Sequence, residues 1–206
     1  MKIVETFTSL QGEGLKMGVP THFIRTAGCN LDCLWCDTKY AFGKGVERDV
    51  RELVAGCDVS HVCVTGGEPM LQEELPELLD LLLKEGKHIV LETNGSQDIT
   101  GLPKDGNLMV SMDIKCPSSK MSDKMIMSNI PALTMKDQLK FIIENGEDLE
   151  YAVDVLKKYA PETNVIFSPV GGMDLEPLAE EVLSRRLDVR VLPQLHKIIW
   201  GDKRSV

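Results

Sequence analysis

Three cysteines lie close together in the N-terminal part of the chain. Cys29, Cys33 and Cys36 could place three thiolates on one tight loop. Three thiolates can hold three corners of an iron–sulfur cube and leave the fourth iron without a protein ligand. Since an open iron can bind a small molecule, this spacing favours a reactive 4Fe–4S cluster over a closed electron-transfer centre.

The three thiols also allow alternative roles. Structural zinc usually takes four ligands arranged as two short pairs, and no nearby histidine or cysteine completes such a pair. Cys57 and Cys63 are distant and fit core positions, while Cys116 has no neighbour that marks it as a ligand. Three inert thiols are less expected, because clustering on a loop is unusual for buried, unreactive cysteine. A non-catalytic iron–sulfur or zinc-binding module is a further alternative.

Polar or glycine-rich segments follow the predicted strands along the chain. In a parallel α/β barrel, the carboxyl ends of the strands carry the active site. We therefore expect these segments to meet on one face. They are the cysteine loop, Gly66-Gly67-Glu68-Pro69, Thr93-Asn94-Gly95, Lys115 and Pro169.

The elements that must position these residues alternate between β-branched runs and amphipathic stretches. The predicted strands are His22–Arg25, Val62–Thr65, Ile89–Glu92, Met109–Asp113, Leu139–Ile143, Val165–Ser168 and Val189–Leu192. The predicted helices are Leu71–Lys84, Leu149–Tyr159 and Leu175–Arg185. Asp148 or Glu147 is the predicted N-cap of the second helix, and Cys116–Ala132 is expected to be a long, mobile loop.

This alternation predicts right-handed βαβ units and a parallel sheet. Eight full units normally need about 250 residues, and the chain has 206. We therefore expect an α/β fold, an incomplete or compacted parallel (β/α) barrel. No domain boundary is visible, so residues 1–206 are expected to form a single domain.

Composition limits the classes of partner and compartment. The formal net charge of −9 argues against non-specific binding to nucleic acid, whose phosphates would be repelled. No apolar stretch approaches the ~20 residues of a membrane helix, and residues 1–10 lack the apolar core of a signal peptide. We expect a cytoplasmic protein with no membrane partner, in which the six cysteines are reduced.

Two motifs together resemble the radical S-adenosylmethionine (SAM) superfamily. The cysteines follow the pattern Cys-x3-Cys-x2-Cys, with Trp35 before the last one. Thr65-Gly66-Gly67-Glu68-Pro69, after the next predicted strand, is similar to the glycine-rich SAM motif of that superfamily. The resemblance implies a 4Fe–4S cluster on the three cysteines and SAM on the open iron.

A narrower resemblance covers residues 5 to 206. The chain is similar to the 7-carboxy-7-deazaguanine synthase family in Ser9-Leu10-Gln11-Gly12-Glu13-Gly14, Cys36-Asp37-Thr38, Glu92-Thr93-Asn94-Gly95, Ser111-Met112-Asp113-Ile114-Lys115 and Gln194-Leu195-His196-Lys197-Ile198-Ile199-Trp200. Another radical SAM enzyme, such as a glycyl-radical activase, is the alternative, but it has no use for Gln11, Glu13 or Arg25.

The narrower resemblance implies a ring contraction. A 5′-deoxyadenosyl radical takes the C6 hydrogen of 6-carboxy-5,6,7,8-tetrahydropterin. The substrate radical rearranges, ammonia leaves, and 7-carboxy-7-deazaguanine forms as a precursor of queuosine-type and archaeosine-type bases. A flavodoxin- or ferredoxin-type electron donor, Mg²⁺ and a homodimer are also implied.

The resemblance further implies the roles of individual residues. Thr38 would be a Mg²⁺ ligand. The substrate-binding residues would be Leu10, Gln11, Gly12, Glu13, Arg25, Thr65, His196 and Val206. The SAM-binding residues would be Gly66, Gly67, Glu68, Thr93, Asn94, Ser111, Asp113, Lys115 and Ser168.

Physical chemistry supports several of these implied roles. Arg25 offers a forked cation for the substrate carboxylate. Glu13 and Gln11 can pair with the donor-rich edge of a pterin. Gly66 and Gly67 would let the backbone approach SAM closely, and Thr38 offers an oxygen ligand for a hard cation.

Overall fold

Nine strands form one sheet within residues 1–43 and 45–206, which the computed structural model describes. They are β1 (Lys2–Leu10), β2 (Pro20–Thr26), β3 (Val46–Glu47), β4 (His61–Gly66), β5 (His88–Thr93), β6 (Leu108–Ile114), β7 (Gln138–Ile143), β8 (Asn164–Pro169) and β9 (Arg190–Val191). The helices are α1 (Val50–Ala55), α2 (Leu75–Lys84), α3 (Gly146–Tyr159), α4 (Glu176–Ser184) and α5 (Leu195–Trp200).

The sheet has the order β3-β1-β2-β4-β5-β6-β7-β8-β9. From β2 to β9 the neighbouring strands are parallel. Only the N-terminal strand β1 is antiparallel to its two neighbours among the described residues. Since β3 and β9 are the two edges of this order, the sheet stays open, and the predicted incomplete parallel barrel is confirmed.

The parallel strands alternate between two faces, as the pleat requires. One face carries large aliphatic side chains such as Ile24, Val62 and Leu91, which pack against α1 and α2. Farther along the sheet, α3 and α4 cover Met112 and Phe167 and their neighbours. These two clusters lie on one continuous sheet and provide most of the buried apolar surface.

The other face of the strands has an apolar layer and a polar layer. Phe23, Cys63, Val90 and Met109 are aligned in register across four strands and form a small cluster of their own. Two residues nearer the carboxyl ends, the same face carries side chains that can bind ligands. These side chains are Arg25, Thr65, Glu92 and Ser111. Two residues beyond Ser111, Asp113 on β6 pairs with Lys140 on β7.

Several local predictions need correction. The antiparallel strand β1 was not predicted, and neither were the short helices α1 and α5. The N-cap of α3 is Asn145, whose side chain accepts from the backbone N–H of Asp148, so the predicted cap at Asp148 or Glu147 is wrong. The predicted strand Val189–Leu192 is reduced to Arg190–Val191.

The predicted loop Cys116–Ala132 contains three short 3-10 helices: Pro117–Ser119, Ser122–Lys124 and Met127–Ala132. Met125 and Ile130 anchor it in the core below α3. The segment is therefore packed on the core, although its serine and lysine content had suggested a mobile loop. No helix of the described residues has the length and apolar character needed to cross a membrane.

Candidate active site

A cavity of about 600 Å³ lies at the carboxyl ends of the parallel strands. Its wall includes the cysteine loop after β2, the glycine-rich loop after β4 and the ends of β5, β6 and β7. Residues 10–13, at the end of β1 and just after it, and the C-terminal residues 201–206 complete the wall. The predicted convergence of these segments on one face is therefore observed.

The cysteine loop is held against the 3-10 helix Pro117–Ser119. Trp35 Nε1 donates to Ser118 Oγ at 3.2 Å, and Ser118 Oγ donates to Asp148 Oδ2 at 2.5 Å. The backbone N–H of Leu34 donates to the Ser119 carbonyl at 3.1 Å. These bonds fix the segment between Cys33 and Cys36, so two of the three thiols sit on a supported turn.

The three thiols of the cysteine loop face one cavity. Cys29, Cys33 and Cys36 all line it, and all three are free thiols. Three thiolates can hold three irons of a 4Fe–4S cube and leave the fourth iron for a ligand from the cavity. The chemistry of this donor set therefore fits a cluster with one open iron.

Burial raises the pKa of the Cys33 and Cys36 thiols. The neighbouring thiols also raise both pKa values, whereas the Lys115 ammonium lowers them. Without iron, these cysteines are therefore protonated at neutral pH. Cluster assembly must release protons from this loop, and Lys115 favours that release electrostatically.

The glycine-rich loop packs directly on the cysteine loop. A Cβ on Gly67 would overlap the Gly28 carbonyl, so only glycine allows this approach. The backbone N–H of Glu68 donates to the same Gly28 carbonyl at 2.8 Å. The two motifs that suggested the superfamily are thus a single structural unit.

The Glu68 side chain does not reach the cavity. Its carboxylate accepts from Thr93 Oγ1 at 2.9 Å, from the Asn94 N–H at 2.6 Å and from the Met70 N–H at 3.0 Å. Glu68 is fully buried, and its oxygens tie the glycine-rich loop to the end of β5. In this geometry Glu68 supports the loop from behind the cavity wall.

The N-terminal motif around Gly12 contacts the C-terminal motif around His196 directly at the edge of the cavity. A Cβ on Gly12 would overlap the His196 ring, and the Leu195 N–H donates to the Gly12 carbonyl at 2.8 Å. Gln11 folds back so that its Oε1 accepts from the Gly12 N–H at 2.9 Å. Residues that are far apart in sequence therefore form one wall.

Arg25 is fixed by a carboxylate from β1. Its Nε donates to Glu5 Oε1 at 2.7 Å, and the Tyr40 hydroxyl donates to the same oxygen at 3.0 Å. Burial would raise the pKa of Glu5, but hydrogen bonds from Ser205, Arg25 and Tyr40 hold that pKa below its ordinary value. Arg25 also lines the cavity, and its bond to Glu5 uses Nε rather than the two terminal nitrogens.

A network of charges crosses the interior below the cavity. Lys140 Nζ lies 3.1 Å from Glu13 Oε2, 2.8 Å from Glu92 Oε2 and 3.4 Å from Asp113 Oδ1. Asp113 also pairs with Lys115 at 2.5 Å. Burial lowers the pKa of Lys115, but Asp113 and Cys33 together more than offset this and keep the pKa above its ordinary range. Both lysines therefore remain cations.

The C-terminal tail closes one side of the cavity. Ser205 Oγ donates to Glu5 Oε2 at 2.6 Å, and the Arg204 guanidinium lies 4.2 Å from the centre of the Tyr40 ring. Val206 is part of the wall. Thr38, which precedes the 3-10 helix Lys39–Phe42, donates its hydroxyl to Asp37 Oδ1 at 2.8 Å.

Most of the predicted site residues line this cavity. They are Leu10, Gln11, Gly12, Glu13, Arg25, Cys29, Cys33, Cys36, Thr38, Thr65, Gly66, Gly67, Thr93, Asn94, Asp113, Lys115, His196 and Val206. Besides Glu68, the predicted SAM residues Ser111 and Ser168 lie outside the wall. Ser111 Oγ donates to Glu92 Oε2 at 2.6 Å, and Ser168 Oγ donates to the Leu192 carbonyl at 2.8 Å.

Sequence reasoning gave no role to five residues of the site: Glu5, Tyr40, Glu92, Lys140 and Gln194. Glu92 and Gln194 belong to motifs of the family resemblance but had no assigned function, whereas the other three are ordinary charged or polar residues outside any motif. A weak signal existed for Lys140, because a lysine inside the apolar run Leu139–Ile143 requires a buried partner. Glu5 gave no comparable signal, because β1 itself was not predicted.

Comparisons with known proteins give the same picture. The Radical SAM superfamily profile matches residues 23–174. A 7-carboxy-7-deazaguanine synthase from Methanospirillum hungatei is 44% identical over 97% of this chain and 85% of its own length. One from Thermoplasma acidophilum is 38% identical over the full length of both chains.

A solved structure agrees with these relatives. The crystal structure of QueE from Escherichia coli matches 95% of this chain and 94% of its own, with a TM-score of 0.78 and 26% identity. The chain is therefore an enzyme of the radical SAM superfamily and belongs to the 7-carboxy-7-deazaguanine synthase family.

Proposed function

We propose that this chain converts 6-carboxy-5,6,7,8-tetrahydropterin to 7-carboxy-7-deazaguanine with loss of ammonia. It would act as a radical SAM carbon–nitrogen lyase on the way to queuosine- or archaeosine-type bases. One observation carries the proposal: the cysteine loop, the glycine-rich loop and the Gln11–Glu13 segment with Arg25 all line one cavity. An activase for a glycyl radical would need only the first two.

Cys29, Cys33 and Cys36 hold the cluster in this proposal. The SAM side of the cavity consists of Gly66, Gly67, Thr93, Asn94, Asp113 and Lys115, while Glu68, Ser111 and Ser168 support it from behind. When bound, the cluster and SAM supply a carbon radical that takes a hydrogen atom from the substrate. The protein's task is to bind, orient and shield the reactants.

Arg25 binds the substrate carboxylate through its two terminal nitrogens, a bidentate arrangement that lysine cannot reproduce. Glu13 accepts hydrogen bonds from the N–H groups of the pterin edge. Leu10, Gln11, Gly12, Thr65 and His196 form the remaining substrate wall. Phe7 and Phe23, whose rings stack at 5.0 Å beside Arg25, exclude water from one side.

A substrate-bound Mg²⁺ belongs to the same proposal. The Thr38 hydroxyl donates to Asp37, so its oxygen lone pairs remain available to a metal. One neutral hydroxyl is a weak site for Mg²⁺, which keeps several waters unless an anion recruits it. The substrate carboxylate is that anion, so metal and substrate bind together.

The remaining features concern the whole protein. Residues 1–206 act as a single domain, since both large core clusters lie on one sheet. Free thiols at all six cysteines suit the reducing conditions of a cytoplasm. A flavodoxin- or ferredoxin-type donor supplies electrons, and the enzyme works as a homodimer. Leu34, 65% exposed on the cysteine loop, offers a donor an apolar contact near the cluster.

Product formation tests the proposal. The protein is reconstituted anaerobically with iron and sulfide, then incubated with 6-carboxytetrahydropterin, SAM, Mg²⁺ and a reductant. We expect 7-carboxy-7-deazaguanine and one equivalent of ammonia by liquid chromatography and mass spectrometry. A wild-type enzyme that cleaves SAM but leaves the pterin unchanged would contradict the proposal.

The cysteines provide a matched control. Cys29→Ala is expected to lose both the cluster absorbance and turnover. Cys57→Ala is expected to keep both, because Cys57 lies in the core beneath α1 and α2. A Cys29→Ala enzyme with a full four-iron cluster and normal turnover would remove Cys29 from the ligand set.

A further inference from the structure

Both oxygens of the Glu13 carboxylate are held by other side chains. Lys140 Nζ lies 3.1 Å from Oε2, and Gln194 Nε2 donates to Oε1 at 2.6 Å. Lys140 is on β7 and Gln194 is the N-cap residue of α5. Two distant elements therefore fix one carboxylate from two directions.

Lys140 is placed to act on Glu13 rather than on a ligand. It is 6% exposed, and its ammonium also meets Glu92 at 2.8 Å and Asp113 at 3.4 Å. An ammonium has three donors. Two of them are bonded to Glu13 and Glu92, and the third faces the carboxylate of Asp113 at ion-pair distance. The charge of Lys140 is therefore directed at three protein carboxylates, although the residue borders the cavity.

We propose that Lys140 and Gln194 are positioning residues, which keep Glu13 ionised and in one orientation for the N–H groups of the pterin edge. This inference rests on the proposed function. A carboxylate offers about four acceptor sites, so two remain after Lys140 and Gln194 are bound. The 2-amino group and the neighbouring ring N–H of a pterin present two parallel donors that match them.

The charge on Glu13 decides whether this match exists. A protonated Glu13 would place an O–H donor against a donor of the pterin, leaving both unsatisfied. Burial would raise the pKa of Glu13, but the Lys140 ammonium and the Gln194 hydrogen bond hold it below its ordinary value. From the other elements around Glu13, Asp113 raises this pKa, His196 lowers it, and Glu92 competes for Lys140.

Removal of the Lys140 charge should therefore produce a defect that depends on pH. Without the Lys140 ammonium, burial and Asp113 would raise the pKa of Glu13. The ionised fraction of Glu13 would then fall, and alkali would restore the carboxylate. Loss of Gln194 removes one hydrogen bond but leaves the ammonium in place. Its defect should vary much less with pH.

Binding measurements on reconstituted enzyme test this inference. The dissociation constants of 6-carboxytetrahydropterin and of SAM are measured separately between about pH 6 and 9 for Lys140→Met, Lys140→Gln and Gln194→Ala. At neutral pH we expect about tenfold weaker pterin binding in each, with recovery in alkali only for the Lys140 variants. SAM binding should stay within about twofold of wild type.

Lys87→Met is the matched control. Lys87 Nζ donates to the Cys57 and Val59 carbonyls at 2.8 and 2.9 Å, outside the cavity wall. The Lys87→Met substitution removes a hydrogen-bonded lysine and leaves the surroundings of Glu13 unchanged. We expect this variant to bind the pterin with the same affinity as wild-type enzyme.

A double-mutant cycle separates positioning from general damage. In a Glu13→Gln background, Lys140→Met should cost less than about twofold in pterin affinity, because residues that act through one another are not additive. An equal loss in both backgrounds, or a loss that does not vary with pH, would overturn the role of Lys140. If circular dichroism shows that Lys140→Met does not fold, the cycle of Gln194→Ala with Glu13→Gln decides by the same criterion.

Failure of the proposed function can be distinguished from failure of this inference. If the proposed function is wrong, wild-type enzyme makes no deazapurine from the pterin. If wild-type enzyme does form the product while both Lys140 variants bind the pterin normally at every pH, this inference alone is wrong.

Discussion

Arg25 shows how the neighbours of one residue decide which of its atoms are free for a ligand. Glu5 accepts from Arg25 Nε, and the Tyr40 hydroxyl donates to the same Glu5 oxygen. The guanidinium groups of Arg25 and Arg204 both lie near the Tyr40 ring. The charge of Arg25 is thus balanced within the protein. In the proposed function, the planar fork of its two terminal nitrogens is the part that recognises the substrate.

Arg25→Lys should keep the charge and lose that fork. We expect substrate affinity to fall by more than about tenfold, equivalent to about 1.4 kcal/mol, while SAM affinity hardly changes. Separate titrations of the two ligands measure this. Arg51→Lys, on the exposed side of α1, serves as the control. Equal weakening of both ligands would place Arg25 outside the substrate site.

Thr38 offers a second test at the residue scale. If its hydroxyl binds Mg²⁺, Thr38→Ala should abolish Mg²⁺ stimulation with the cluster intact, and Thr38→Ser should retain much of it. The alternative is that Thr38 only stabilises the turn before Lys39–Phe42, since threonines after turns often bond to nearby backbone. Turnover as a function of Mg²⁺ concentration distinguishes them. A full Mg²⁺ response in Thr38→Ala would assign Thr38 to loop structure.

Individual site residues could be predicted from the sequence where their shared function requires a characteristic spacing. Cys29, Cys33 and Cys36 stand out because three thiols must share one loop. Lys140 and Glu5 carry no such pattern, because their meaning comes from partners on other strands. Glu68 is the converse case: it lies inside a recognisable motif, yet its carboxylate accepts from the Thr93 hydroxyl and from the backbone N–H groups of Met70 and Asn94.

At the scale of elements, the contact between the two loops depends on one missing side chain. The cysteine loop can lie on the glycine-rich loop only because Gly67 has no Cβ next to the Gly28 carbonyl. Backbone forms both sides of this contact, so a side chain cannot rotate away to make room. The separation between the cluster ligands and the proposed SAM loop is therefore fixed by packing.

Gly67→Ala should force these loops apart. Overpacking of this kind costs about 1–3 kcal/mol, and we expect a lower midpoint of thermal unfolding before any cofactor is added. Iron content after reconstitution should fall as well. Gly101→Ala is the control, because a Cβ there meets nothing within 4 Å. Equal melting curves for wild type and Gly67→Ala would show that the loops can separate without cost.

Sequence predicted the parallel strands well and the antiparallel edge poorly. Runs such as Val62–Thr65 are apolar because helices cover one face and the apolar layer fills part of the other. β1 instead mixes Glu5 and three threonines or serines with its apolar residues, because it lies beside the cavity and near the sheet edge. Glu5 supports the site through Arg25, whereas Thr8 bonds to His22 and Asp58. This polar content hid the strand.

At the scale of the molecule, the open sheet leaves a gap that the tail spans. α5 follows β9 at one end of the strand order, yet Ser205 bonds to Glu5 on β1 at the other. Residues 201–206 thus run across the open side of the cavity. Their side chains are largely exposed, so the tail contributes little to the core.

Deletion of residues 202–206 should therefore weaken substrate binding far more than folding. We expect pterin affinity to drop about tenfold or more, because water gains access and the contacts of Glu5 and Tyr40 are lost. The thermal midpoint should change little, as surface residues usually contribute under about 0.5 kcal/mol each. Ser205→Ala, which removes only the hydroxyl bonded to Glu5, should give a smaller loss.

Acid should release the same tail in the intact protein. The pKa of Glu5 lies below its ordinary value in the folded state, so its contribution is present above the unfolded pKa and is lost as pH falls through the folded pKa. Protonation removes the charge that Ser205, Arg25 and Tyr40 share. Amide hydrogen exchange of residues 201–206 measures this, once the observed rates are corrected for the intrinsic rate at each pH. The protection of these amides should fall at acid pH and should not fall in alkali. Protection that stays constant down to acid unfolding, or that disappears in alkali, would show that the tail is held by contacts other than Glu5.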